Sequence, residues 1–263
     1  MNFRVIALLA AWLVIGLSGR AETGRPNILF IFLDDFGWRD TGYMGSDFFE
    51  TPHIDKLASE GMVFSDAYSC AANCAPARAC LLSGQYTPRH RIFNVGTSPR
   101  GKAKHRRLEH IPGTDTLDPK IKTWAQCLRD AGYRTATMGK WHLSDDPLPY
   151  GFDVNVGGTH SGSPPRGYYP PHNVPGLKDA PKDEFLTTTV CRKAEEFIEA
   201  NKDRKWALYL TLFAVHTPLD ANKTLLTSTS RRPPASCIIT SPWRRSSRVL
   251  TTASVALPRP FGA

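Results

Sequence analysis

The segment Cys74-Ala75-Pro76-Ala77-Arg78 sets a sulfur nucleophile and a guanidinium four residues apart. In a helix, that spacing puts both on one face, a turn apart. Cys74 would then stand at the helix N-terminus, where free N–H groups and the helix dipole favour anions. Together they form a cradle for a tetrahedral oxyanion. A buried structural cysteine beside a surface arginine is the plainer alternative. Asp34-Asp35 offers two carboxylates just before Gly37. Such a pair can converge on one hard cation, Ca2+ or Mg2+, or simply form a polar turn. Lys140 and His142 lie two apart at a strand end and can share a face. A solvated lysine and a capping histidine are the alternative there. His216 follows an apolar run; it is an acid–base group or a core histidine.

The surrounding elements must carry these side chains to one place. Asn27 to Leu33 is a short apolar run after Pro26, which reads as a buried central strand. Thr51-Pro52 opens a helix that Gly61 stops. Met62 to Tyr68 reads as a second strand. Cys74 to Ser83 is helical, with Pro76 tolerated in the first turn and Gly84 as the stop. Asn94 to Pro119 is a long surface loop. Lys120 to Ala131 is an amphipathic helix, and Tyr133 to Met138 a strand. Asp145 to Pro181 is rich in Pro and Gly and reads as loop. Asp183 to Asn201 is a helix, and Trp206 to Val215 a buried strand. Strands alternating with helices predict an α/β sheet covered on both faces. Every candidate side chain then falls after a strand or at a helix start, the edge where open α/β sheets bind ligands.

Composition narrows the class. The chain has 263 residues, enough for one large α/β domain. Val5 to Leu17 is an apolar run after Arg4, followed by Gly19 and Ala21 at the spacing of a cleavage site. Residues 1–21 therefore read as a secretory signal peptide, too short to span a bilayer. Six cysteines in an exported chain could pair, but they match no zinc spacing. The net charge of +9 comes mostly from the tail, since residues 224–263 hold six arginines and no acid. Without them, 27 basic residues face 24 acidic ones. That balance gives no nucleic-acid footprint across the domain.

Five segments together resemble the sulfatase family. Cys74-Ala75-Pro76-Ala77-Arg78 with Leu81-Leu82-Ser83-Gly84 is similar to its signature C-x-P-x-R and trailing L-x-G. Pro26 to Asp35 is similar to its first strand and metal pair, and Thr51 to Ala58 to the helix that follows. Gly139-Lys140-Trp141-His142-Leu143 and His216-Thr217-Pro218 resemble its sulfate-contacting segments. The likeness runs from about Arg25 to Asp220. Ala77 stands where the family commonly has serine, His53 where it has asparagine, and Cys80 where it has a small residue.

The resemblance implies an alkaline-phosphatase-like sandwich: α/β, with a mostly parallel central sheet and helices on both faces, truncated at the C-terminus. It implies that a formylglycine-generating enzyme oxidises Cys74. It also implies Ca2+, ahead of Mg2+, held by Asp34, Asp35 and the group derived from Cys74. One hydroxyl of the hydrated aldehyde would attack sulfur, and the second would later expel sulfate. Arg78 and Lys140 would bind sulfate oxygens. His142 would position the hydroxyl or serve in elimination, and His216 would contact the sulfate or protonate the leaving alcohol. The implied activity is hydrolysis of a sulfate ester of a carbohydrate or aryl alcohol, in a secreted or periplasmic protein with no membrane anchor after signal removal. His160, Arg166, Tyr168, Tyr169 and His172 lie in a loop that could contact a sugar.

The family pattern stops near Lys223, which sets a catalytic portion of 22–223. An Asp-Asn pair, a further lysine and a smaller subdomain are expected next, yet no acid follows Asp220. The basic, Ser/Thr/Pro-rich tail 224–263 has the composition of a shifted reading frame, or of a disordered tail. The expectation for the chain as written is poor folding and weak turnover. Two other readings stand beside the sulfatase: an inactive fragment, and a phosphodiesterase or phosphonate hydrolase of the same superfamily.

Overall fold

A computed structural model gives the structure, which describes residues 24–99, 101–220 and 222. The expected signal peptide and the tail 224–263 lie outside the described residues. The five described cysteines, Cys70, Cys74, Cys80, Cys127 and Cys191, are all free thiols.

Four strands form one parallel sheet in the order β1-β4-β2-β3: β1 Ile28–Phe32, β2 Arg134–Gly139, β3 Val154–Val156 and β4 Trp206–Thr211. Strand β4 is paired on both sides, so all six of its residues are buried. Side chains alternate across it. Leu208 and Leu210 enter one core, with Ala136 and Met138 of β2 and with Val190, Ala194, Phe197 and Ile198 of helix α5 (Leu186–Ala200). Tyr209 enters the other core, with Ala75, Ala79 and Leu82 of α2 (Cys74–Ser83) and Ala125 of α4 (Trp124–Asp130). Helices therefore cover both faces, as the alternation of elements implied. Each fully buried Leu contributes about 1.5–3 kcal/mol through lost water contact.

Helix α1 (Pro52–Glu60) starts with Pro52 in its first turn and ends at Gly61. Thr51 does more than mark its start. Its hydroxyl accepts from Gly42 N and donates to Asp55, each at 2.8 Å, tying the turn at Gly42–Met44 to the helix. Helix α2 closes at Gly84, whose φ of 64° needs a residue without Cβ strain. Helix α3 is one short turn, Thr87–His90.

Several sequence expectations need correction. Among the described residues, the apolar run before Asp34 is an edge strand of the sheet, paired with β4 alone, rather than a central one. Its side chains are accordingly only half-buried. No strand forms over Met62 to Tyr68; Met62 and Tyr68 are 79% and 85% exposed. That run meets no neighbouring ladder and no core, and β propensity alone does not hold an isolated strand. The helix expected from Lys120 begins at Trp124, because Thr123 and Gln126 form a reciprocal capping box that fixes the start. The strand expected to reach Val215 stops at Thr211, where its partner β2 also ends. The Pro- and Gly-rich stretch after Asp145 contains a strand, β3, which is too short to show a period.

Gly139 closes β2 beside Thr211 at a φ of 103°. A Cβ there would sit 1.9 Å from the Thr211 carbonyl oxygen. Lys140 N donates to that same oxygen at 2.7 Å. Gly139→Ala should therefore cost at least about 3 kcal/mol and displace Lys140. Urea unfolding measures this; an unchanged midpoint would show that the strand end is not fixed this way.

Candidate active site

The chemistry-bearing residues gather at the C-terminal edge of the sheet. Asp34 follows β1, Lys140 follows β2, His216 follows β4, and α2 points its N-terminus at the same place. The centre is a buried charge cluster. Arg78 Nη2 donates to Asp34 Oδ2 at 2.8 Å, and Lys140 Nζ contacts the same oxygen. Arg78 Nη1 donates to the Lys140 carbonyl at 2.6 Å and to the Thr211 hydroxyl. The guanidinium also lies over the Phe32 ring, 5.1 Å from its centre. Two buried cations thus share one buried carboxylate. Burial pushes the Asp34 carboxyl up, but the Arg78 and Lys140 charges outweigh it and hold the group below the usual carboxylate range. Removing Asp34 would strand both buried cations, at a cost of at least about 3–5 kcal/mol.

In front of this cluster lies an open pocket of about 610 Å³, lined by Asp35, Cys74, Asn94, His142, Ser163 and His216 among others. Cys74 opens α2 with its side chain half-buried. The N-cap residue, Asn73, makes no side-chain cap; its amide donates to Asn94 Oδ1 at 2.6 Å. The first-turn N–H groups therefore stay available to an anion in the pocket. Burial, and then the Asp34 charge, raise the Cys74 thiol above its ordinary range.

Asp34, Asp35 and Cys74 each bring one ligand atom within 4.8 Å of the others. Two carboxylates suit a hard divalent cation, whereas a thiol sulfur suits it poorly. The residues fit such an ion best when the third ligand is an oxygen derived from Cys74.

His142 sits in a left-handed conformation, φ 66°, held by His142 N donating to Thr159 O at 2.9 Å. Gly162 packs on its ring so closely that a Cβ would fall 2.4 Å from it. His142 Nδ1 is buried with no hydrogen-bond partner among the described residues. Burial first, then the Lys140 and Arg78 charges, hold this imidazole at about 4. His216 faces the pocket with Nδ1 2.6 Å from Thr217 O and Nε2 3.9 Å from Asp35.

All seven residues expected from sequence therefore reach one site: Asp34, Arg78 and Lys140 in its wall, Asp35, Cys74, His142 and His216 at the pocket. Lys140 and His142 do not share a strand face, because the strand ends at Gly139 before either of them. The loop proposed for sugar contact is only partly available. Tyr168 is buried, stacks on Phe185 at 4.9 Å and donates to His216 O at 2.9 Å, so it braces the His216 segment. His172 is buried as well. His160 stands edge-on to His142 at 6.4 Å, and Arg166 is exposed. Sequence reading missed Thr211, Asn94 and Gly162. The lone polar Thr211 inside the apolar run Trp206 to Val215 was a usable signal; nothing marked the other two.

Parallel strands, helices on both faces and a strand-edge anion site define an alkaline-phosphatase-like α/β fold. The sulfatase family model matches residues 26–237, and the chain belongs to that family. It is 30% identical to the N-acetylgalactosamine-6-sulfatase of Canis lupus familiaris, over 88% of this chain and 47% of the relative. It is likewise 30% identical to arylsulfatase G of Rattus norvegicus, over 86% and 48%. The chain spans about half the length of the curated relatives it matches. Among solved structures, Ps i-CgsB in complex with k-i-k-neocarrahexaose superposes with a TM-score of 0.65 at 27% identity, over 87% of this chain and 53% of that one. The phosphonate monoester hydrolase of Agrobacterium radiobacter, at 20% identity and a TM-score of 0.57 over 80% and 45%, shares the fold.

The His142 position has a direct spectroscopic consequence. NMR titration should place its midpoint near 4, below the ordinary 6.5. The unfolded chain then binds the extra proton first, so the stability tied to neutral His142 is full above about pH 6.5 and is lost as the pH falls toward 4. A midpoint at 6.5 would mean that the ring is solvated and not pressed against Gly162.

Proposed function

We propose that this protein hydrolyses sulfate esters of carbohydrates at Cys74 after its oxidation to formylglycine, with a divalent cation, Ca2+ by family expectation, on Asp34, Asp35 and the Cys74-derived oxygen. The convergence of those three ligand atoms within 4.8 Å, beside buried Arg78 and Lys140, carries the reading. The relatives support the substrate class: their names describe sulfatases of N-acetylgalactosamine and N-acetylglucosamine, and BT4656 was solved with D-glucosamine-2-N,6-O-disulfate. We place the catalytic portion at 22–223, after a signal peptide and before a basic tail. The protein is exported to a secreted or periplasmic location. No helix of the described residues is long and apolar enough to cross a membrane.

When bound, the cation supplies positive charge against the sulfate oxygens, and formylglycine supplies an oxygen nucleophile where cysteine offers sulfur. The chain's own groups do the rest. Arg78 is locked by Asp34, Thr211 and the Lys140 carbonyl, so its remaining charge is fixed in place before substrate arrives. Lys140 adds a second fixed charge on the same side. The free N–H groups of α2 face the same anion. His142 is neutral at working pH, so its ring can accept a proton from a hydroxyl at the pocket. His216 is the proton source for the leaving alcohol, oriented by Thr217 O. The raised thiol supports the need for oxidation, because an unmodified Cys74 is a protonated, weak nucleophile.

The test is co-expression of the full chain with a formylglycine-generating enzyme. Peptide mass spectrometry should find the aldehyde at Cys74, and hydrolysis of 4-nitrocatechol sulfate should exceed that of 4-nitrophenyl phosphate. Cys74→Ala should lower sulfate hydrolysis at least about a thousandfold. An unmodified cysteine, a preference for phosphate, or turnover that survives C74A would each sink the reading.

A further inference from the structure

The loop 101–110 has a composition unlike the rest of the fold. Gly101-Lys102-Ala103-Lys104-His105-Arg106-Arg107-Leu108-Glu109-His110 carries four permanent cations and two histidines against one acid. Every residue of it is exposed. Among the described residues, no salt bridge includes Lys102, Lys104, Arg106 or Arg107. By contrast, Lys193 and Arg192 on α5 are each paired twice. Unpaired cations crowded on one loop repel each other, and an anionic ligand relieves that repulsion.

The segments that flank the loop run toward the pocket on both sides. On one side, Asn94 and Val95 line the pocket, and His110 Nε2 bonds to Thr97 O at 2.9 Å, which draws the loop's far end back to within two residues of Val95. On the other side, His160 Nε2 bonds to Asp115 O at 3.2 Å, and His160 stands against His142. Arg106 donates twice to Gly101 O, at 3.0 and 3.3 Å, closing the loop on itself. The cations are thus carried on a tied loop whose flanking segments reach the pocket, and not on a free tail.

We infer that this loop docks a polysulfated carbohydrate chain, holding sulfate groups on sugars beyond the one whose ester reaches Cys74. The assignment to carbohydrate rests on the sulfate-ester reading above. Two features favour it over nucleic acid. The loop has no Phe, Tyr or Trp on which a base could stack. Leu108 and Ile111 are 87% and 69% exposed, offering apolar contact to the C–H faces of sugar rings.

The experiment compares the full chain with K102S/K104S/R106S/R107S. A heparin-derived octasaccharide is the probe, read by fluorescence titration at two salt concentrations. Both proteins keep the tail arginines, so the difference isolates the loop. The variant should bind at least about tenfold more weakly and with a flatter salt dependence. Lys178→Ser with Lys182→Ser, exposed cations elsewhere, should change binding less than twofold. The thermal midpoint should stay unchanged, since the loop buries nothing. Hydrolysis of 4-nitrocatechol sulfate is followed in parallel. Loss of octasaccharide binding in the loop variant supports the docking role even if no ester is hydrolysed, in which case the sulfatase reading fails separately. Equal binding by variant and parent, or tighter loop-dependent binding of duplex DNA or phosphatidylserine vesicles than of the octasaccharide, would overturn the inference.

Discussion

The fold is organised around one carboxylate that two cations share. Asp34 comes from the end of β1, Arg78 from the second turn of α2 and Lys140 from the end of β2. Each is almost fully withdrawn from water. Burying three charges costs several kcal/mol per ion before their attraction returns it, and an apolar trio of similar volume would hold these elements at least as well. The arrangement therefore makes little sense as a stabilising device. Its product is a pair of positive charges fixed in advance beside the pocket, which is what the proposed sulfate transfer would use.

That fixed pair constrains everything near it. Arg78 reaches Asp34 only because α2 lies flat on the Tyr209 face of the sheet, with Ala75 and Ala79 against it. The small side chains permit this close approach. Lys140 turns inward because Gly139 lets the backbone leave the ladder at Thr211. Thr211 then serves both partners, accepting from Arg78 and donating to the Lys140 carbonyl at 2.9 Å. A single threonine at the end of β4 thus couples the helix to the strand edge. The same helix that carries Arg78 brings Cys74 to the pocket, so the placement of the thiol follows from the placement of the charge.

Much of this was legible in the sequence, and the reason is local. Cys74 to Gly84 contains its own start, spacing and stop, so the helix and the shared face of Cys74 and Arg78 follow from short-range rules. Asp34, Lys140 and His216 each follow a segment that reads as a strand, which places them at a sheet edge once the α/β pattern is granted. What was not legible depends on strand partners. Nothing in Asn27 to Leu33 says that the strand pairs on one side only, and nothing in Met62 to Tyr68 says that it pairs with none. The buried fate of Tyr168 and His172 was equally hidden, because a Pro- and Gly-rich loop looks exposed until the segment around Phe185 is seen to pack on it. Lys140 shows a subtler limit. Spacing suggested that it shares a strand face with His142, yet it reaches the site because the strand has already ended at Gly139.

The environment of Cys74 also separates this site from thiol chemistry. Cysteine nucleophiles are activated by surroundings that favour the thiolate, such as a helix N-terminus or a nearby cation. Cys74 has both, since it opens α2 and feels Lys140. Even so, burial and the Asp34 charge outweigh them, and Asp35 adds to the same direction. Two carboxylates beside a sulfur are a poor design for a thiolate but a natural one for a hard cation and an oxygen ligand. The electrostatics that disable the cysteine as found are those that would serve its oxidised form. As found, the side chain is a protonated thiol, which is the state that the proposed oxidation to formylglycine would start from.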